Sequence, residues 1–380
     1  MARKFKVPAL DLSREYLILK NDIQKELKDC FRDQEWILGS KVSRFEERLA
    51  KFLGVKWAVG CASGTDALIL ALRALAMKKK QKEYFDEEDE VITTPFTFIA
   101  TAEAISRSGA RPVFVDIDPQ TFNIDSQKVK KAVNKNTVGI VPVHLYGLAS
   151  EMDTILKVAR ESNLFVVEDV AQAFGGMHKK KKLGSLGNAG AFSFFPSKNL
   201  GSFGDAGAVA TDDVDLAREV KILRNHGEKT RYNAEFIAYN SRLDSIQAAI
   251  LLAKLKHVNA FNNLRRKVAL MYAKALGDIP QIQNPFLPEG LTHAWCLYTI
   301  KVLFKRDKLC EFLNSKGVAC RVYYPIPLFK MNAFRDAKRI GGFKATEEAS
   351  SKVLSLPINP FIKENQINYV ASLIRKFFRS

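Results

Sequence analysis

A lysine set among glycines, a carboxylate at the end of an apolar run and a hydroxyl shortly before the lysine are the side chains whose types and spacing could do chemistry together. They fall within residues 165–207, FVVEDVAQAFGGMHKKKKLGSLGNAGAFSFFPSKNLGSFGDAG. Glu168-Asp169 closes an apolar strand, which puts a carboxylate at the carboxyl edge of a parallel sheet, where open α/β folds bind ligands. Lys198 follows an aromatic strand and is surrounded by small residues, so that its amine can approach a planar ligand. Ser193, earlier on that strand, can offer a hydroxyl to a phosphate. Each has a plainer reading on its own: Asp169 as a helix cap, and Lys198 as one more surface cation in a chain with 59 Lys and Arg.

The elements that must position these residues follow from periodicity. Ser13 to Leu53 shows apolar residues at helical spacing (Ile23, Leu27, Phe31; Val42, Phe45, Leu49), broken at Trp36-Ile37-Leu38-Gly39, and predicts two helices. Lys56 to Gly60 reads as a strand, Ser63-Gly64-Thr65-Asp66 as a turn and Ala67 to Met77 as a helix. The charged run Lys78 to Glu90 reads as a solvated loop. Strands at Val91–Thr94, Arg111–Val115, Val138–Pro142 and Phe165–Glu168 alternate with helices at Thr97–Ser108, Ser126–Val133 and Met152–Glu161, which predicts a largely parallel sheet covered on both faces. Ala189–Phe195 and Ala208–Thr211 form a hairpin with Lys198 near its tip. A long helical region spans Ser241 to Leu276. Beyond residue 280, strands such as Tyr298–Leu303 mix with helices such as Lys308–Lys316 and Gln366–Phe377. The length, 380 residues, predicts a large domain over 1–255 and a smaller α+β domain over 256–380.

Composition narrows the function classes. With 47% hydrophobic and 26% charged residues, the chain is globular. No run approaches the roughly 18 apolar residues of a membrane span, and Met1–Leu10 lacks a secretory segment, so a cytoplasmic protein is expected. Cys30, Cys61, Cys296, Cys310 and Cys320 are scattered, which argues against a disulfide framework or a metal site. The net charge of +18 is spread along the chain without a nucleic-acid motif, so it argues against a nucleic-acid partner; steering of an anionic substrate would explain it, and a lysine-rich genome explains it equally well.

Eight ordered motifs then resemble one family: EWILGSKVSRFEERLAKFLGVKWAVGCASGTDALILAL, VITTPFTFIATAEAISRSGARPVFVDID, VPVHLYG, EDVAQAFGG, FSFFPSKNLGSFGDAGAV, RNHG, YNSRLDSIQAAI and VYYPIPLF. Over nearly its whole length the chain resembles the DegT/DnrJ/EryC1/StrS sugar aminotransferases, fold-type I enzymes dependent on pyridoxal 5'-phosphate (PLP). The resemblance implies that Lys198 bonds covalently to the cofactor, that Asp169 pairs with its pyridine nitrogen, and that Gln172 meets its ring hydroxyl. It implies that Phe96 stacks on the ring and that Gly64, Thr65 and Ser193 hold the phosphate, the first two at a helix start suited to anions. Asn240, which could be a turn residue, matches an asparagine that reaches the partner subunit's phosphate, implying a homodimer with shared active sites. Where many relatives read Pro-Leu-His, this chain has Pro327-Leu328-Phe329. Tyr324 and Phe329 are its candidates for the substrate side.

The function so implied is transfer of an amino group from an amino acid, expected to be glutamate, to a nucleotide-linked keto-sugar for glycan or lipopolysaccharide synthesis. The stretch FFPSKNLGSFGDAGA leans toward relatives that aminate C3. The alternatives are a PLP-dependent sugar dehydratase, a C4 or cyclitol aminotransferase, and a non-catalytic DNA-binding regulator. Dehydratase relatives carry histidine in place of the cofactor lysine, so Lys198 favours amino transfer.

Overall fold

The computed structural model describes residues 5–287 and 291–379. Its centre is an eight-stranded sheet in the spatial order Trp57–Cys61, Gly207–Thr211, Ala189–Ser193, Phe165–Asp169, Thr137–Ile140, Glu90–Thr93, Arg111–Val115 and Lys338–Ile340. Every strand runs the same way except Gly207–Thr211, which pairs antiparallel with both its neighbours. The Phe165–Asp169 strand is buried along its whole length. Helices cover both faces, which explains why the strands read as short continuous apolar runs rather than alternating ones.

The helix Gly64–Lys80 shows why burial and sequence agree. Ser63 caps it by accepting from the Asp66 N–H at 3.0 Å, and each residue from Ala67 to Ala76 is buried. A helix apolar all round belongs inside a protein, and this one packs against the sheet with Val59, Val167, Ala191 and Val209.

The two N-terminal helices are Leu12–Asp33 and Ser40–Leu53, the first burying Leu19, Ile23 and Cys30. The long helical region splits into Ser245–Leu255 and Val258–Leu276. The charged run is not simply solvated: the preceding helix extends to Lys80, and Phe85 is buried and stacked on Phe165 at 5.4 Å between centroids. One aromatic anchors that segment, and a single anchor leaves no periodic signal. A second core gathers Tyr272, Tyr298, Ile300, Leu309, Leu354 and Ile367 around the antiparallel strands Ile282–Gln283, Tyr298–Val302 and Val353–Leu356. Lys338–Ile340, from the C-terminal third, crosses back to edge the large sheet beside Arg111–Val115. No described helix is long and apolar enough to cross a membrane.

Candidate active site

The strand Trp57–Cys61 delivers the chain to the start of the Gly64–Lys80 helix. At these first helical positions the N–H groups of Gly64 and Thr65 have no carbonyl one turn back to bond. Together with the helix dipole they favour an anion. Ser193 ends the strand one removed from Trp57–Cys61 in the sheet, yet so close to the helix start that a Cβ on Gly64 would come 2.5 Å from Ser193 Cβ, and one on Gly207 would come 2.1 Å from the Ser63 carbonyl oxygen. Glycine is thus what lets turn and hairpin meet. The Ser241 hydroxyl donates to Asp66 Oδ2 at 2.8 Å and accepts from the Ala62 N–H at 3.3 Å. These bonds pin its exposed neighbour Asn240 beside the turn.

Glu168 and Asp169 point to opposite faces of their strand, and the two carboxylates have different fates. Glu168 Oε1 accepts from the N–H groups of Leu186 (2.7 Å) and Gly187 (2.9 Å), and Oε2 accepts from Gly184 N–H (2.9 Å) and lies 2.9 Å from His144 Nε2. Since His144 Nδ1 accepts from Ser150 N–H at 3.1 Å, Nε2 carries the ring proton and donates it to Glu168. Glu168 is therefore fully engaged in holding the 184–187 loop.

Asp169 forms no ion pair among the described residues. It accepts only from the Thr101 hydroxyl (2.8 Å) and the Ala171 N–H (3.1 Å). Burial pushes its carboxyl above the ordinary range, against the pull of those hydrogen bonds and of the Lys198 charge. A buried carboxylate with no cation of its own is a site for an incoming one. Lys198, half-buried, lies in the loop joining Ala189–Ser193 to Gly207–Thr211, where its N–H donates to Phe195 O at 2.9 Å. The next residue fixes that loop: Asn199 Nδ2 donates to Asn262 Oδ1 at 2.8 Å and to Ala294 O at 2.6 Å.

A family model described as the DegT/DnrJ/EryC1/StrS aminotransferase family matches residues 18–375. The chain belongs to that family. It is 43% identical over 378 residues, covering 98% of this chain and 99% of the other, to the "Pleiotropic regulatory protein" of Geobacillus stearothermophilus. It is 40% identical over 376 residues, with 99% of both chains covered, to the UDP-N-acetyl-3-dehydro-alpha-D-glucosamine 3-aminotransferase of Acidithiobacillus ferrooxidans. Its fold superposes on S. venezuelae DesV with a TM-score of 0.92 at 35% identity, covering 98% of each chain. It is thus a PLP-dependent aminotransferase of fold type I, with the mostly parallel sheet and smaller C-terminal α+β portion of that architecture.

The residues fit the cofactor. A glycine cradle with free N–H donors suits its phosphate, and a buried carboxylate without a cation suits its protonated ring nitrogen. Two expectations need correction within this DegT/DnrJ/EryC1/StrS frame. Phe96 has no exposed surface; it packs with Ile117, Phe122 and Val143 and has no face left to offer a ligand. The neighbouring ring that is open is Phe98, 58% exposed, with its centroid 6.4 Å from that of Tyr324. Phe329 likewise is buried, among Phe114, Leu328 and Phe334, with its ring 4.8 Å from Phe343. It fills core in a place where a histidine would have brought a polar group.

Gln172 is used at both ends. Its Oε1 accepts from Tyr146 N–H at 2.9 Å and its Nε2 donates to the Tyr324 hydroxyl at 2.8 Å, which draws the 323–324 segment up to the site. Burial, and then the Asp169 charge, hold the Tyr324 phenol above its ordinary pKa. Sequence reading missed Phe98 and Thr101, and gave Glu168 no role beyond closing its strand. The spacing Thr97-Phe98-…-Thr101 at the start of a helix could have signalled the first two, since it sets a hydroxyl and a ring one turn apart.

Proposed function

We propose that this enzyme moves the amino group of glutamate to a keto-sugar carried on a nucleoside diphosphate, acting on a 3-keto-hexose in preference to a 4-keto one, and that it does so as a homodimer. The carrying observation is the convergence of Lys198, Asp169 and the Gly64/Ser193 cradle in a chain that matches a nucleotide-sugar 3-aminotransferase over 99% of both lengths. A complete cofactor site of this kind supports catalysis over a purely regulatory role.

In this reading the Gly64 and Thr65 N–H groups and the Ser193 hydroxyl bind the phosphate, and Phe98 covers one face of the ring. Asp169 holds a proton on the pyridine nitrogen. When bound, PLP supplies the electron sink that stabilises negative charge on the donor's Cα. With the cofactor in place, Lys198 Nζ would be the general base that takes the proton from the donor's Cα, holding it as an ammonium until it is given back as a general acid. Gln172 orients Tyr324 toward the sugar. Asn240, exposed beside the cradle, reaches the partner subunit's phosphate.

Purified protein reconstituted with PLP should show a visible absorbance band that is lost on adding glutamate, with 2-oxoglutarate released in step. Borohydride should fix the cofactor to wild type and leave Lys198→Ala unlabelled. A wild-type spectrum unmoved by glutamate would remove glutamate as donor, and labelling of the variant would remove Lys198 from its role. NMR of the product from 3-keto and 4-keto UDP-sugars then decides the carbon.

A further inference from the structure

Away from the active site, two thiols face each other in the C-terminal core. Cys310 lies on the helix Arg306–Ser315 and Cys320 in the segment after it, with their Sγ atoms 3.6 Å apart. Asn314 clamps both: its Nδ2 donates to Cys310 O at 2.9 Å and Cys320 O at 3.1 Å, and lies 3.4 Å from each sulfur. The main chain on either side is thus fixed independently of the sulfurs. Cys320 is buried and Cys310 only partly so. The other three cysteines, Cys30, Cys61 and Cys296, are buried, Cys30 against Ser245 O and Cys61 against Ser63 O.

We propose that Cys310 and Cys320 are a reversible oxidation site that closes to a disulfide in the presence of a low-molecular-weight disulfide such as oxidised glutathione. A disulfide needs its sulfurs at about 2.05 Å, so the pair must close by roughly 1.5 Å, a movement within reach of side-chain torsions. The partly exposed thiol attacks first. The Cys310 thiolate displaces one glutathione thiolate and takes up the other half as a mixed disulfide. Cys320 then gives up its proton and attacks Cys310 Sγ, forming the protein disulfide and expelling the second glutathione thiolate. Two protein thiols are oxidised and one glutathione disulfide is reduced, with the two thiol protons passing to the released thiolates. The S–H that Cys320 offers to Cys310 Sγ lowers the Cys310 thiol pKa, aided by Arg306 and opposed by burial. A lowered pKa raises the fraction of thiolate, which is the attacking form. Cys320 stands four residues before Tyr324, so the link forms on the segment that carries the tyrosine of the active site.

The test uses PLP-loaded enzyme incubated with oxidised glutathione, alkylated and digested with trypsin without reduction. Cleavage after Lys316 separates the two cysteines, so the expected product is the peptide 309–316 joined to 317–321. The Cys320→Ser variant should instead retain glutathione on Cys310, and Cys310→Ser should retain none on residue 320. A retained cofactor spectrum shows that either variant is folded. Unmodified thiols in wild type, or a stable glutathione adduct on wild-type Cys310 with no linked peptide, would overturn the proposal.

Discussion

Asp169 is placed where a carboxylate ionises unwillingly by itself. Burial is the largest influence and raises its pKa. A carboxyl whose folded pKa lies above its unfolded value adds stability that is fully present below the ordinary value near 3.9 and is lost as pH rises through the folded one. At neutral pH the cofactor-free protein therefore carries a cost at Asp169, whose charged form burial disfavours. Asp169→Asn should melt, without PLP, at a temperature equal to or above wild type, yet lose about 100-fold or more in turnover because the ring nitrogen is no longer held protonated. A lower melting temperature for the cofactor-free variant, or wild-type turnover, would contradict this. The two phenylalanines make a paired prediction. Phe96→Ala opens a cavity in packed core and should cost about 3–5 kcal/mol of stability by urea denaturation. Phe98→Ala should leave cofactor-free stability nearly unchanged and weaken PLP retention on dialysis.

At the scale of elements, the cradle depends on how closely a helix start and a hairpin end approach. Gly64→Ala places a Cβ at 2.5 Å from that of Ser193, so one of them must move and the phosphate donors move with it. Far-UV circular dichroism should remain that of wild type, while titration shows PLP affinity falling at least tenfold, or about 1.4 kcal/mol. Unchanged affinity would mean that the turn and hairpin are not packed as described. The break between Ser245–Leu255 and Val258–Leu276 is where we propose that the C-terminal unit begins, with the core around Tyr272 and Tyr298 on its far side. The Lys338–Ile340 strand, returned to the large sheet, ties that unit back to the first.

For the whole molecule, the proposed dimer has a direct consequence. If Asn240 serves the partner's site, a mixed dimer of Lys198→Ala and Asn240→Asp chains contains one site with both residues intact and one with neither. Mixing the two variants after partial denaturation and renaturing them together should restore activity that neither shows alone. Absence of recovery, with mixed dimers demonstrated by differential tagging, would place Asn240 in the service of its own subunit.

Much was legible in the sequence because local physics fixed it. The strand–turn–helix at Gly64, the parallel strand ending at Asp169 and the hairpin carrying Lys198 all depend on short-range periodicity and turn chemistry, and the structure forms each. The aromatics that follow the Glu90–Thr93 strand and the Tyr-Tyr-Pro segment were another matter. Phe96 and Phe98 are two positions apart and chemically identical, and only the packing of Phe122, Val143 and Ile117 around one of them decides which is core and which is open. Phe329 has the same history, since its burial depends on Phe114 and Phe343 from distant parts of the chain. Residue type and spacing thus determined the elements that present the site, and the resemblance carried by the ordered motifs implied the cofactor chemistry. The tertiary structure decided which of the candidate side chains face the cleft, because exposure is set by contacts between residues far apart in sequence.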